Sequence, residues 1–190
     1  MSPRGCHKGM KSLTDKKAKS APSSPALPTA LVELIDRVES RQALGADLPI
    51  ETWTHSADDA GEQVYQNKND RLDIEFTVER YGFPHVQTMD PRLVRIPPGK
   101  CNEYHKHAHE SLFVILKGEG EVRVGDEWRP VRQGDLAFVP RWIFHQSRNT
   151  STTDTLVILA ITDFGFTKAV LGDYDKRTRL AEDGTDAAEH

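Results

Sequence analysis

The sequence has few of the features that would place it in several common protein classes. It contains two cysteines, Cys6 and Cys101, among 190 residues, which argues against a disulfide framework. No apolar run approaches the roughly 20 residues that a membrane-spanning helix needs. The N-terminus is charged but lacks the apolar segment of a secretory signal. We therefore expect a cytoplasmic protein that does not act at a membrane.

Neither sign of charge dominates the whole chain. The formal net charge is -4, which gives no strong electrostatic reason to expect nucleic acid as a partner. The first twenty residues are basic, however, with Arg4, Lys8, Lys11, Lys16, Lys17 and Lys19. Such a tail could contact phosphate, but we interpret it as a solvated, disordered segment.

The sequence divides into four regions. Residues 1–28 are rich in Lys, Ser and Pro and form the predicted disordered basic tail, in which Met10 is a second possible start. Residues 29–61 contain a predicted helix, whose apolar residues recur at helical spacing between Leu31 and Val38, and a linker. Residues 62–165 contain the predicted barrel, and residues 166–190 form a polar C-terminal tail.

A two-residue period dominates the central region. Leu72, Ile74, Phe76 and Val78 alternate with polar residues, which indicates a half-buried strand. Turn sequences rich in Gly, Pro and Asp separate the segments that follow. Further short strands are predicted at residues 92–97, 111–117, 121–124, 127–131, 136–139, 144–148 and 155–162. Many short strands at close spacing predict an all-β sandwich or barrel.

Four histidines, His105, His107, His109 and His145, are the strongest functional signal. The first three alternate, and alternate side chains of an extended segment point to the same side. His105 and His107 can therefore face one ion, with His145 contributed by a distant strand. Neutral imidazole is the commonest side-chain ligand for metals in proteins. The pattern predicts one divalent metal ion.

Two motifs carry a resemblance to a known family. The stretch Gly99-x5-His105-x-His107-x3-Ser111-x6-Gly118 resembles the first motif of the cupins. The second cupin motif resembles Gly134-x5-Pro140-x-Trp142-x2-His145-x3-Asn149, with Trp142 where the family usually has Gly. The resemblance implies a double-stranded β-helix, or jelly-roll, barrel that holds a metal ion inside.

The resemblance also implies the ligands His105, His107 and His145. The Glu that usually follows in the first motif is replaced by Ser111, and Glu110 lies one residue away. Strand parity turns Glu110 away from the histidines, although a β-bulge could bring it inward. We favour a three-histidine site with Glu110 beside it or outside it, and whether His109 touches the metal is left open.

Three neutral ligands leave a divalent ion with its full charge and open coordination positions. Cupins with similar sites include dioxygenases, so the resemblance favours an Fe(II) dioxygenase that acts on a small chelating substrate. One alternative is non-redox chemistry by Zn, Ni or Mn in an isomerase, decarboxylase or lyase. The other is a non-catalytic cupin that binds a small molecule. No phosphate-binding loop or nucleophile elbow suggests catalysis without a metal.

Three further residues are candidates for contact with the substrate. Trp142 could narrow the mouth of the barrel, Arg95 could hold a carboxylate, and Phe113 could line the pocket, although packing or surface roles are also open to each. Similar barrels often pair, so we expect a homodimer that uses the strand from Leu72 to Val78 and the helix from Leu31 to Val38.

Overall fold

The computed structural model describes residues 26–39, 48–56, 59–83, 86, 88–173 and 178–181. Nearly all of the predicted N-terminal tail and the last nine residues of the predicted C-terminal tail lie outside these ranges. Within them, no helix is long and apolar enough to cross a membrane.

The described residues form eleven strands and two helices, with two single 3-10 turns at Ile50–Thr52 and Asp70–Leu72. The helices are α1 (Thr29–Glu39) and α2 (Phe164–Leu171). The strands before the second motif are β1 (Glu62–Asn69), β2 (Ile74–Arg80), β3 (Asp90–Ile96), β4 (His105–His107), β5 (Ser111–Lys117), β6 (Glu119–Val124) and β7 (Glu127–Arg132). The remaining strands are β8 (Leu136–Val139), β9 (His145–Asn149), β10 (Leu156–Thr162) and β11 (Arg179–Ala181).

The strands form two antiparallel sheets that enclose one core. The six-stranded sheet has the order β1-β2-β3-β10-β5-β8, and the five-stranded sheet has the order β11-β4-β9-β6-β7. Both sheets contribute to the core, with Phe76, Ile96 and Ile158 from the first and Val122 and Val131 from the second. The predicted all-β fold is confirmed.

Alternation along the strands decides which side chains enter this core. In β2 the residues Ile74, Phe76 and Val78 are buried, while Glu75 and Thr77 between them are only partly buried. This is the two-residue period predicted for Ile74, Phe76 and Val78, and it arises because successive side chains point to opposite faces of a sheet. Leu72, predicted to belong to the same strand, lies instead in the turn Asp70–Leu72 and is 37% exposed. The buried side chains of β2 point into the same interior as the histidines of β4 and β9.

Motif glycine Gly118 permits the tight β5–β6 connection. Its φ is +82°, a left-handed conformation, and a Cβ atom there would lie 2.9 Å from the carbonyl oxygen of Thr155. Only glycine meets both conditions without strain. The motif glycine therefore fixes the path of the chain from β5 into β6 beside β10.

Two elements at the C-terminus were not predicted from the sequence. Helix α2 begins at Phe164, buries Phe164 and Thr167, and contacts α1. Strand β11 is three residues long and pairs with β4. Neither has a clear local signal, because α2 is short and β11 lies in polar sequence. Both acquire their structure through contacts with distant parts of the chain.

Candidate metal centre

The three predicted ligands meet on the inner face of the five-stranded sheet. His105 and His107 belong to β4, and His145 on the neighbouring strand β9 is the direct cross-strand partner of His105. One ring nitrogen of each histidine lies within 4.8 Å of those of the other two. Residues opposite each other on neighbouring strands share a face, so the sheet itself brings the three rings together.

Burial keeps these histidines uncharged. It is the main cause that lowers the pKa of His105 and His107 well below the usual value, and the neighbouring histidines lower it further. For His145 burial lowers the pKa to about 4. A neutral imidazole has a free lone pair, which is the form that binds a metal ion.

Each of the three rings is oriented by a hydrogen bond to the backbone. Nδ1 of His105 lies 2.9 Å from the carbonyl oxygen of Glu103, and Nδ1 of His107 lies 2.8 Å from that of His109. Nδ1 of His145 lies 3.0 Å from the carbonyl oxygen of Ile143. A carbonyl oxygen accepts, so each Nδ1 carries the proton and each Nε2 has the lone pair. The cluster therefore fits a metal ion held by three Nε2 atoms.

The position where the family usually has Glu does not supply a carboxylate. Ser111 is buried and faces inward, opposite Val139. The side chain of Glu110 is 48% exposed and lies 3.7 Å from the guanidinium of Arg141. Arg141 also binds the carboxylate of Asp163 just before α2. Among the described residues, the group that could hold a metal contains the three histidines and not Glu110.

His109 lies beside the cluster but outside it. Its ring stacks on that of His107, with 3.5 Å between the ring centroids and 9° between the planes. Burial, together with the positive charges of Arg92 and Arg141, lowers its pKa. His109 is not one of the three residues whose ring nitrogens converge. It packs against a ligand and so restricts the orientation of that ligand.

Trp142 adopts the backbone conformation that explains the usual Gly of the second motif. Its φ is +58°, in the left-handed region, which is unfavourable for a bulky residue. Its backbone N–H donates to the carbonyl oxygen of His107 at 2.8 Å. Trp142 as a whole is 39% exposed. Trp142 is thus held next to a ligand by its backbone, and its role at the mouth of the barrel stays a prediction.

The other two substrate candidates, Arg95 and Phe113, lie on opposite faces of the sheet. Arg95 alternates with the buried Ile96 and forms a two-point ion pair with Glu79, with bonds of 2.9 and 3.2 Å. Its guanidinium is thereby engaged on the outer face of the sheet. Phe113 faces the core, and its ring centroid is 6.1 Å from that of His145. Of the two, only Phe113 borders the histidines.

Sequence reasoning missed a buried polar network next to the ligands. Glu103 is fully buried, and its carboxylate accepts hydrogen bonds from the hydroxyl of Tyr65, the amide of Asn67 and the guanidinium of Arg179. Burial, followed by the bond to Glu103, raises the pKa of Tyr65. Glu103 has the same parity as His105 and His107, so alternation could have found it. Nothing local in the sequence points to Arg179.

Comparison with known proteins agrees with this geometry. Residues 92–162 match the family model described as a cupin domain. A protein from Aquifex aeolicus is 39% identical over 69 residues, 36% of this chain and 54% of the relative. An oxalate-binding protein from Thermotoga maritima is 35% identical over 36% of this chain and 56% of its own length. A 5-nitrosalicylic acid 1,2-dioxygenase from Bradyrhizobium is 34% identical over 33% of this chain and 30% of its own length. The matches thus span about half or less of each curated relative.

Solved structures agree on the fold. A cupin-2 domain protein from Rhodospirillum rubrum superposes with a TM-score of 0.51 at 23% identity, over 64% of this chain and 76% of its own. The salicylate 1,2-dioxygenase of Pseudoaminobacter salicylatoxidans gives 0.51 at 16% identity, over 80% of this chain and 37% of its own. At these identities the likeness concerns the fold alone. The family model identifies residues 92–162 as a cupin domain, and the two sheets and the three converging histidines agree with that assignment.

Proposed function

We propose that this cupin is a metal-dependent enzyme, an Fe(II) dioxygenase that acts on a small chelating organic substrate. The observation that carries the proposal is the ligand set. Three neutral imidazoles converge inside the fold, and no carboxylate of the described residues joins them. Such a set leaves a divalent ion with its charge and with positions open for other ligands.

The protein residues have defined roles in this proposal. His105, His107 and His145 would hold the ion through Nε2, because the carbonyl groups that accept from Nδ1 fix the orientation of each ring. Phe113 and the core behind it exclude water from one side of the cluster. Iron bound there would supply open coordination positions and redox chemistry toward dioxygen.

A curated relative supports the proposal. The Bradyrhizobium relative is a dioxygenase by name, and the match to it includes a third of this chain. The salicylate dioxygenase shares the fold. The Bradyrhizobium relative acts on an aromatic acid by name, which agrees with a small chelating substrate.

A non-catalytic binding role is the second candidate. It is favoured by the Thermotoga relative, which is named for binding oxalate. Oxalate chelates metal ions, so the same three histidines could serve to bind a ligand without a reaction. Non-redox catalysis by zinc, nickel or manganese is the third possibility, because imidazole accepts all of these ions.

The first test is the metal content of protein purified without oxygen. We expect about one iron per chain in the wild type and background levels in His107→Ala, since one of three ligands is removed. His55→Ala is the matched control, because His55 is a partly exposed histidine bonded to the carbonyl oxygen of Gly82. It should retain its iron.

Oxygen uptake by the iron-loaded protein then tests the reaction. We expect uptake with at least one compound from a panel of hydroxybenzoates, diketones and thiols. Zinc, nickel or manganese in the purified protein, with turnover under nitrogen, would favour non-redox catalysis. Tight oxalate binding without turnover in either atmosphere would favour the binding role. Equal metal in wild type and His107→Ala would refute the site itself.

We also propose a cytoplasmic location. The support is the free thiol of Cys101 within the described residues, because free thiols persist in reducing compartments.

A further inference from the structure

Arg179 enters the interior of the fold through strand β11. In the pairing of β11 with β4, Arg179 lies opposite His107 and Ala181 lies opposite His105. Directly opposite residues point to the same face of a sheet. Arg179 therefore projects to the face that carries the histidines, and its side chain is only 11% exposed.

The guanidinium of Arg179 lies next to the metal ligands. It binds the carboxylate of Glu103, which is four residues before the strand partner of Arg179. To reach Glu103, the side chain must extend along β4 past the pair of His105 and Ala181. The side chain therefore lies on the face of the sheet that carries the histidine ligands.

This arginine has hydrogen-bonding capacity beyond its ion pair. A guanidinium has five N–H donors, and among the described residues its hydrogen bond is the one to Glu103. Tyr65 and Asn67 both donate to Oε1 of Glu103, and Arg179 donates to Oε2. Donors of Arg179 thus remain for a ligand that enters between the histidines and Glu103.

A second buried group independently requires a partner. Ser147 lies two residues after His145 on β9, so it faces the same interior, and it is 1% exposed. Within the part of the chain that the structure describes, its hydroxyl is buried without any hydrogen-bond partner. A buried hydroxyl without a partner costs free energy. A polar ligand in the interior would satisfy it.

Charge balance indicates which ligand fits. Glu103 and Arg179 neutralise each other, and the three imidazoles are neutral, so a bound divalent ion leaves a net charge of about +2 in a buried space. An anionic chelator would offset this charge, whereas a neutral one would not. Arginine also matches a carboxylate in shape, since two parallel N–H groups can bind its two oxygens.

We propose that Arg179 and Ser147 form an anion-binding subsite beside the three histidines, and that the substrate is a metal chelator with a carboxylate group. The chelation rests on the proposed metal site. The subsite itself depends neither on iron nor on dioxygen chemistry.

The test is calorimetric titration with salicylate, and with salicylamide as its uncharged counterpart. Protein loaded with redox-inert Zn²⁺ and metal-free protein are both titrated. Arg179→Gln should weaken salicylate binding about tenfold to a hundredfold, as expected for losing hydrogen bonds to a charged group. Ser147→Ala should weaken it severalfold. Salicylamide should bind weakly to the wild type and be unaffected by Arg179→Gln.

Two variants separate ligand binding from structural support. Glu103→Gln should keep or increase the affinity for salicylate, because the guanidinium is no longer shared with a carboxylate. If Arg179 only stabilised the fold, Glu103→Gln would weaken binding as Arg179→Gln does. The double variant Glu103→Gln/Arg179→Gln leaves no lone buried charge, so it should fold and still lose affinity.

The matched control is Arg95→Gln, an arginine with the same kind of ion pair on the outer face of the sheet. It should bind salicylate like the wild type. Unchanged salicylate affinity in Arg179→Gln, or no binding of salicylate by the wild type with or without Zn²⁺, would overturn the subsite. Salicylate binding that depends on Arg179 but not on Zn²⁺ would support the subsite and refute the metal-dependent function.

Discussion

At the scale of single residues, backbone hydrogen bonds decide the chemistry of the candidate site. Each ligand histidine is bonded at Nδ1 to a carbonyl group two residues away in the chain. This repeated local contact leaves Nε2 of all three rings as the metal-binding atom. The sequence specifies the contact because the partner residue is so close to the histidine.

The lowered pKa values predict how the metal-free protein responds to acid. His145 has a pKa of about 4 in the folded state and about 6.5 when unfolded. Between these values the unfolded chain binds more protons, so the free energy of unfolding falls as the pH drops from about 6.5 to about 4. The loss due to His145 is about 3 kcal/mol.

Urea denaturation of metal-free protein at several pH values measures this effect. His145→Gln removes the titrating group, so its stability should depend less on pH across the same window. Carboxylates contribute equally to both proteins, and the difference between the two curves isolates His145. Identical pH dependence of the two proteins would contradict the prediction.

At the scale of elements, the turn between β8 and β9 is held by an unusual residue. Trp142 has a φ of +58°, and an L-residue in this conformation costs about 1–2 kcal/mol. Trp142→Gly and Trp142→Ala remove the same indole contacts. The Gly variant should therefore be the more stable of the two by about 1 kcal/mol, because glycine tolerates positive φ.

Thermal or urea unfolding of both variants measures this difference. Ile143, the next residue, serves as the control because its φ is not positive. Ile143→Ala should be more stable than Ile143→Gly, since glycine there only adds backbone entropy to the unfolded state. A Trp142→Ala protein as stable as Trp142→Gly would show that the turn is not strained.

Also at this scale, β11 shows how a short strand can complete a site. Its three residues have little capacity to form structure alone, and they gain it by pairing with β4. The same pairing places Arg179 opposite His107. The polar tail predicted from residue 166 onward thus contains both a helix and a strand that borders the ligands.

At the scale of the whole molecule, an apolar surface lies on the outer face of the six-stranded sheet. Leu112 and Phe138 are partners in the β5–β8 pairing. With Leu116 and Leu136 they form an outer patch, in which Leu136 is 63% exposed and Phe138 is 54% exposed. Exposed apolar patches of this kind mark interaction surfaces.

We propose that the protein forms a homodimer through this outer patch. The sequence predicts a dimer interface formed by the strand from Leu72 to Val78 and the helix from Leu31 to Val38. In the structure β2 lies between β1 and β3 in the sheet, and α1 contacts α2. Light scattering should give a dimer mass for the wild type and a monomer mass for Phe138→Lys. Val32→Lys, at an exposed apolar residue on α1, should remain dimeric. A monomeric wild type would refute the dimer.

The all-β fold class and the three histidines of the candidate site could be predicted from the sequence. Alternation along a strand predicts that His105 and His107 share a face, and the resemblance to the two cupin motifs adds His145. The turns could also be predicted from neighbouring residues, and the positive φ of Gly118 is an example.

Only the tertiary structure decided what surrounds the histidines. The ion pair of Glu103 with Arg179 joins residues 76 positions apart in the chain. The hydroxyl of Ser147 is buried without a hydrogen-bond partner among the described residues. A contact between residues so far apart in the chain produces no periodic pattern in the sequence. It forms only when the intervening chain has folded and the strands have paired. The metal ligands could therefore be predicted from sequence motifs, whereas Arg179 and Ser147, which would select a substrate, could not.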